Sequence, residues 1–74
     1  LILLDVNLPK LDGFAVCRIL KSQPQISHVP VIFLTAKSEP SDIEEGLAAG
    51  SAAYITKPFS PLELLATIEQ VLGI

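Results

Sequence analysis

No methionine and no tryptophan occur in the sequence, and the remaining aromatics are three Phe and one Tyr. With so few rings, an aliphatic core is expected, as in sheets covered by helices. A single cysteine, Cys17, excludes an internal disulfide and fits a reducing, cytoplasmic setting. Basic residues are also scarce: five Lys and Arg against eight Asp and Glu leave a net charge of −3. That balance supplies no basic patch, so nucleic-acid binding by this segment is not expected. No apolar run approaches the roughly 18–20 residues of a membrane span, and no signal-peptide pattern is visible. A lead-in is missing too. The chain opens inside an apolar strand with no preceding turn, so residue 1 reads as a truncation point.

What is present is apolar. Half of the 74 residues are hydrophobic, which argues for a packed core and against disorder. A chain this short forms one small domain, residues 1–74, and buries only about 60–65% of the surface its unfolded form exposes.

Leu1-Ile2-Leu3-Leu4 runs directly into Asp5, then into Val6-Asn7-Leu8-Pro9 and Asp12-Gly13. A continuous apolar run followed by turn residues and a helical pattern reads as a strand buried on both faces. Asp12 is a candidate N-cap for a helix over 14–22, whose apolar stripe is Phe14, Cys17 and Leu20, widened by Val16 and Ile19. Pro24 stops that helix, and His28 in the loop beyond reads as a surface residue. Val31-Ile32-Phe33-Leu34 is a second buried strand ending in Thr35. The next helix is expected over 41–49, with Ser41 and Glu44 as a capping box and Gly50 as the left-handed terminator. Gly46 interrupts its thin stripe, so this helix is expected to be the least stable. Ala53-Tyr54-Ile55-Thr56 is a third strand, ending in Lys57-Pro58-Phe59. Ser60-Pro61-Leu62-Glu63 then opens a last helix whose expected stripe is Leu62, Leu65, Ile68 and Leu72, with Val71 alongside. Three strand–helix units in succession imply a parallel sheet with right-handed crossovers.

Asp5, Thr35 and Lys57 each stand at the carboxyl end of a strand. On parallel neighbours those ends lie roughly 5 Å apart and converge on one rim. A carboxylate, a hydroxyl and an ammonium there suit phosphoryl transfer. The carboxylate is the nucleophile, and the other two donate to phosphoryl oxygens.

The motifs Asp5-Val6-Asn7-Leu8-Pro9, Asp12-Gly13, Leu34-Thr35-Ala36, Gly50, Tyr54 and Lys57-Pro58-Phe59 resemble the receiver domain of two-component response regulators, over all 74 residues. The resemblance implies a flavodoxin-like, doubly wound α/β sheet, here only the last three β-α units (strands 3-4-5) of a five-unit fold. It implies that Asp5 is the phosphoacceptor, served by a histidine kinase or phosphotransfer protein. Asn7 would offer its backbone carbonyl to a Mg²⁺ that also contacts Asp5, while Thr35 and Lys57 would bond the phosphoryl group. Thr35 and Tyr54 would form the switch, facing each other across the rim, and the Lys57-Pro58 bond would be cis. The side chains of Asn7 and Lys37 would tune the lifetime of the phosphorylated state. The helix over 41–49, the strand 53–56 and the last helix would form the partner face. The family's acidic pair after its first strand is absent here, so the Mg²⁺ site is expected to be incomplete in this chain.

By the same resemblance the chain is a signalling phosphoacceptor and not an enzyme. Two other readings compete. A degenerate receiver would serve only as an interaction or dimerisation module, through Leu1–Leu4 as an exposed apolar edge or through the last helices. A phosphatase of the haloacid-dehalogenase type shares the strand-end Asp with Thr and Lys partners. It wants a second acid two residues on, where this chain has Asn7.

Overall fold

The computed structural model describes residues 1–8 and 11–74, residue 8 through its backbone alone; Pro9 of the opening motif lies outside them. The elements in order are β1 (Ile2–Leu4), β2 (Asn7–Leu8), β3 (Leu11–Asp12), α1 (Gly13–Ser22), β4 (Val31–Thr35), α2 (Pro40–Ala48), β5 (Ala53–Thr56) and α3 (Pro61–Leu72). Strands β1, β4 and β5 make a parallel sheet in the order β1-β4-β5, parallel as the three strand–helix units imply and in the order the resemblance implies. The register sets Ile2 beside Val31, Leu4 beside Phe33, Phe33 beside Tyr54, and Thr35 beside Thr56. Alternation then puts Ile2, Leu4, Val31, Phe33, Thr35 and Tyr54 on one face of the sheet. Leu3, Ile32 and Ile55 belong to the other.

The first face holds the main core: Val6, Phe14, Cys17, Val31, Phe33 and Ala49, with Ile2, Leu4, Leu20 and Tyr54 packed around it. Its centre is aromatic, not aliphatic as composition suggests. Phe14 meets Phe33 edge-on, with ring centroids 5.3 Å apart, and the Tyr54 ring lies 5.7 Å from Phe33, tilted by 45°. Few rings suffice because three of the four sit at one point. Cys17 is buried on the inner face of α1 and contacts the Ala49 carbonyl at 3.5 Å.

Three local expectations need correction. The stripe of α1 is narrower than the spacing suggests, for Ile19 is 60% exposed while Phe14 and Cys17 are buried. Helix α2 starts at Pro40, one residue earlier than expected, and Glu39 stands at its N-cap in place of Ser41. The Asp42 carboxylate accepts the Glu39 N–H there at 3.3 Å, and a proline suits the first helical position. Helix α3 opens as expected, with Ser60 accepting the Glu63 N–H at 3.0 Å, but no residue of it is buried. Leu62 and Leu65 of its expected stripe are 78% and 52% exposed, and the half-buried positions are Leu64, Thr67, Ile68 and Val71. The helix is apolar on two sides, and the side bearing Leu64 and Ile68 faces the sheet. Gly50 does take a positive φ, 103°.

Between β1 and α1 the chain forms a feature that the sequence pattern does not announce. Strands β2 and β3 pair antiparallel, Asn7 with Asp12 and Leu8 with Leu11. Asp12 also caps α1, its carboxylate accepting the Phe14 N–H at 2.9 Å. Gly13 follows, and its N–H donates to the Val6 carbonyl at 3.1 Å. A Cβ at Gly13 would sit 2.5 Å from the Asp5 carbonyl oxygen and 2.6 Å from the Val6 Cα. The start of α1 is therefore pressed against the backbone that carries Asp5, an approach that only glycine permits. No helix among the described residues is long and apolar enough to cross a membrane.

Candidate functional site

Asp5 follows β1 directly and stands at the carboxyl rim of the sheet. Its two carboxylate oxygens have different partners. Oδ1 accepts the Asn7 N–H at 2.9 Å, and Oδ2 accepts from the Lys57 ammonium at 3.1 Å. The first contact is local, a carboxylate bonding backbone two residues on. The second spans 52 residues and depends on the sheet. Lys57 is brought there by an extension of the β4–β5 ladder, in which its N–H donates to the Thr35 carbonyl at 2.8 Å. The Lys57–Pro58 bond is cis.

Thr35 ends β4 and is fully buried. Its hydroxyl oxygen accepts the Lys37 N–H at 3.3 Å, which leaves its own proton free to donate elsewhere. Tyr54 lies on the same sheet face, two register positions behind, and its hydroxyl donates to the Lys37 carbonyl at 2.8 Å. The backbone of Lys37 thus joins the two side chains expected to form the switch. The Lys37 side chain reaches Asp42 at 3.9 Å, a long, partly exposed pairing that contributes little by itself.

The environment shifts two of these groups. The Asp5 carboxyl is held below the usual carboxylate range, chiefly by the Asn7 N–H. Lys57 and the Thr35 hydroxyl add to this, against an opposing effect of burial. A depressed value favours the ionised form in the folded chain, so the associated stability is present above the ordinary value of 3.8 and is lost as pH falls through the folded one. The carboxylate is therefore ionised throughout the neutral range. Burial pushes the Tyr54 phenol up, assisted by the negative charges of Asp42, Asp5 and Glu45. Lys57→Met is expected to raise the Asp5 midpoint only part of the way to its ordinary value, because the Asn7 N–H is untouched. Carbon-13 NMR titration of the Asp5 carboxyl checks this, and an unchanged midpoint would show that the ammonium has no electrostatic hold on the site.

Mg²⁺ demands six oxygen donors in near-ideal octahedral geometry. The described residues offer the Asp5 carboxylate, already bonded through both oxygens, and the Asn7 carbonyl beside it. They contain no group of three or more acidic, His or Cys side chains placed to hold a metal ion. The residues present therefore do not by themselves make a Mg²⁺ site.

Two contributors escape sequence reasoning. The Asn7 N–H acts on Asp5 through the backbone, for which residue type gives no signal. Gly13 reads as a turn residue before a helix, whereas its role is the close approach to Asp5.

A family model for the response regulator receiver domain matches residues 1–69. The transcriptional regulatory protein GltR of Pseudomonas aeruginosa is 47% identical over 72 residues, covering 97% of this chain and 30% of GltR. The probable transcriptional regulator ycf27 of Porphyridium aerugineum is 51% identical over 72 residues, covering 97% of this chain and 29% of that protein. Among solved structures, the BeF3-activated receiver domain of DrrB, a Thermotoga maritima protein, superposes with a TM-score of 0.87 at 38% identity. The overlap covers 97% of this chain and 60% of that one. The receiver domain of the sensor histidine kinase PA1611 from Pseudomonas aeruginosa, solved with a magnesium ion in its active-site cleft, gives 0.83 at 38% identity and covers 97% and 59%. The chain thus spans about 30% of the length of these curated relatives and about 60% of these receiver structures.

Proposed function

From the premise that this chain belongs to the response regulator receiver domain family, with a flavodoxin-like α/β fold, we propose that Asp5 accepts the phosphoryl group of a two-component phosphorelay. The observation that carries this is the Asp5 carboxylate, ionised, on the rim and 3.1 Å from the Lys57 ammonium. A carboxylate oxygen attacks phosphorus, the bond from phosphorus to the donor histidine nitrogen breaks, and an acyl phosphate forms on Asp5. The ammonium, already in place, offsets the added negative charge. Thr35 turns its hydroxyl proton to a phosphoryl oxygen. Through the backbone of Lys37 that movement reaches Tyr54, and the surface of α2, β5 and α3 presents the result to a partner. The chain acts in the cytoplasm as a signalling phosphoacceptor, served by a histidine kinase or phosphotransfer protein. Mg²⁺ would be held with further acidic groups, Asp5 and the Asn7 carbonyl supplying two of its oxygens and the ion neutralising phosphoryl charge. The side chains of Asn7 and Lys37 modulate how long the acyl phosphate lasts.

One observation favours an additional role as an association module. Leu1, just before β1, Leu3 on β1 at the edge of the described sheet, and Leu62, Leu65 and Leu72 on α3 are exposed apolar side chains. A homodimer or strand-swapped assembly through these elements would cover them.

Incubating the full-length protein with a histidine kinase and labelled ATP tests the phosphoacceptor reading. An acyl phosphate releases its label in hydroxylamine, the expected result. Label that survives hydroxylamine is a phosphoester on a hydroxyl side chain and would remove Asp5 from its role.

A further inference from the structure

Gly46 is the one buried residue of α2, in the middle of a helix where glycine is unfavourable. A Cβ there would lie 2.6 Å from Cδ2 and 2.7 Å from Cε2 of Tyr54, and 3.2 Å from Cδ2 of Phe33. The first two distances are impossible for a real methyl, so either the ring or the helix would have to move. The Tyr54 ring is held on its other sides by Phe33, 5.7 Å between centroids, and by its hydroxyl bond to the Lys37 carbonyl. Tyr54 thus occupies a slot whose roof is the missing side chain of residue 46.

We infer that Gly46 is a positioning residue for Tyr54: its lack of a side chain lets α2 close over the ring and holds the hydroxyl on the Lys37 carbonyl. The inference rests on the reading of Tyr54 as a switch residue, and adds that ring and helix move as one. Tyr54 cannot keep its present place if residue 46 gains volume unless α2 lifts away from it. Glycine here answers a packing requirement, whatever it costs the helix in propensity.

The test follows the ring directly, without phosphorylation, so its failure is distinguishable from failure of the phosphoacceptor reading. The protein is labelled with 3-fluorotyrosine, and the Tyr54 fluorine resonance is assigned by its disappearance in Tyr54→Phe. In Gly46→Ala the resonance is expected to move toward that of the free amino acid. The phenol midpoint should fall toward its ordinary value as the ring leaves the cover of α2 and the negative charges of Asp42, Glu45 and Asp5. A folded Gly46→Ala with resonance and midpoint both unchanged overturns the inference. Thermal midpoints add a cycle with Tyr54→Leu, which removes the aromatic edge. The methyl should lower the midpoint by several degrees beside tyrosine and by little beside leucine, and an equal drop in both backgrounds overturns it. If Gly46→Ala does not fold, recovery of folding in Gly46→Ala/Tyr54→Leu supports the inference, and no recovery overturns it.

Discussion

Asp5→Asn is expected to abolish phosphoryl acceptance by the full-length protein while leaving it folded. An amide oxygen in the same place still accepts the Asn7 N–H, so the local geometry of the rim survives. The amide has no nucleophilic carboxylate oxygen, however, and forms no acyl phosphate. The lost ion pair with Lys57 joins two groups that are 32% and 46% exposed, and exposed pairs contribute only about 0–1 kcal/mol. Label transferred from a histidine kinase should fall to background with only a small change in thermal midpoint. Asp12→Asn is the control. Asn caps helices as well as Asp, so α1 keeps its start and labelling should continue. Retention of label in Asp5→Asn would place the acceptor elsewhere.

Phe33→Ala is expected to cost about 3–5 kcal/mol, the range for removing a fully buried aromatic ring. Phe33 has 0% of its surface exposed and packs with Phe14 and Tyr54, so its loss opens a cavity against both rings. Domains have only about 0.05–0.15 kcal/mol of net stability per residue, so the cost is a large share of what a domain of this size has. Urea unfolding should show loss of the cooperative transition or a large fall in its midpoint. Leu62→Ala, at a position 78% exposed, should change stability by no more than about 0.5 kcal/mol. Similar effects for the two would mean that the core does not centre on Phe33.

The rim was legible in the sequence because β1 and β4 are apolar runs that stop at Asp5 and Thr35, and β5 ends in Thr56 just before Lys57. That pattern locates Asp5, Thr35 and Lys57 at strand ends without any knowledge of packing, whereas the order of the strands follows from the resemblance to receiver domains. Other parts were not legible, for identifiable reasons. Strands β2 and β3, of two residues each, are too short to show any periodicity. Composition counts rings but does not reveal that three of them meet at Phe33. In α3, apolar residues at 62, 64, 65, 68, 71 and 72 define two overlapping stripes, and the choice between them belongs to the sheet. For α2 the Ser41–Glu44 spacing competed with Glu39-Pro40, and proline at the first helical position prevailed. Gly46 looked like a defect because propensity describes an isolated helix, whereas its reason lies across the interface on Tyr54.

The central claim is that Asp5 carries the phosphoryl group, and peptide mapping by tandem mass spectrometry tests it most directly. The full-length protein is phosphorylated by a histidine kinase, digested rapidly, and fragmented to locate the added phosphoryl mass. The mass is expected on Asp5, within the peptide that carries β1 and Asn7. Phosphoryl mass on Thr35, on Asp12 or on any residue outside that peptide, with Asp5 unmodified, would contradict the claim.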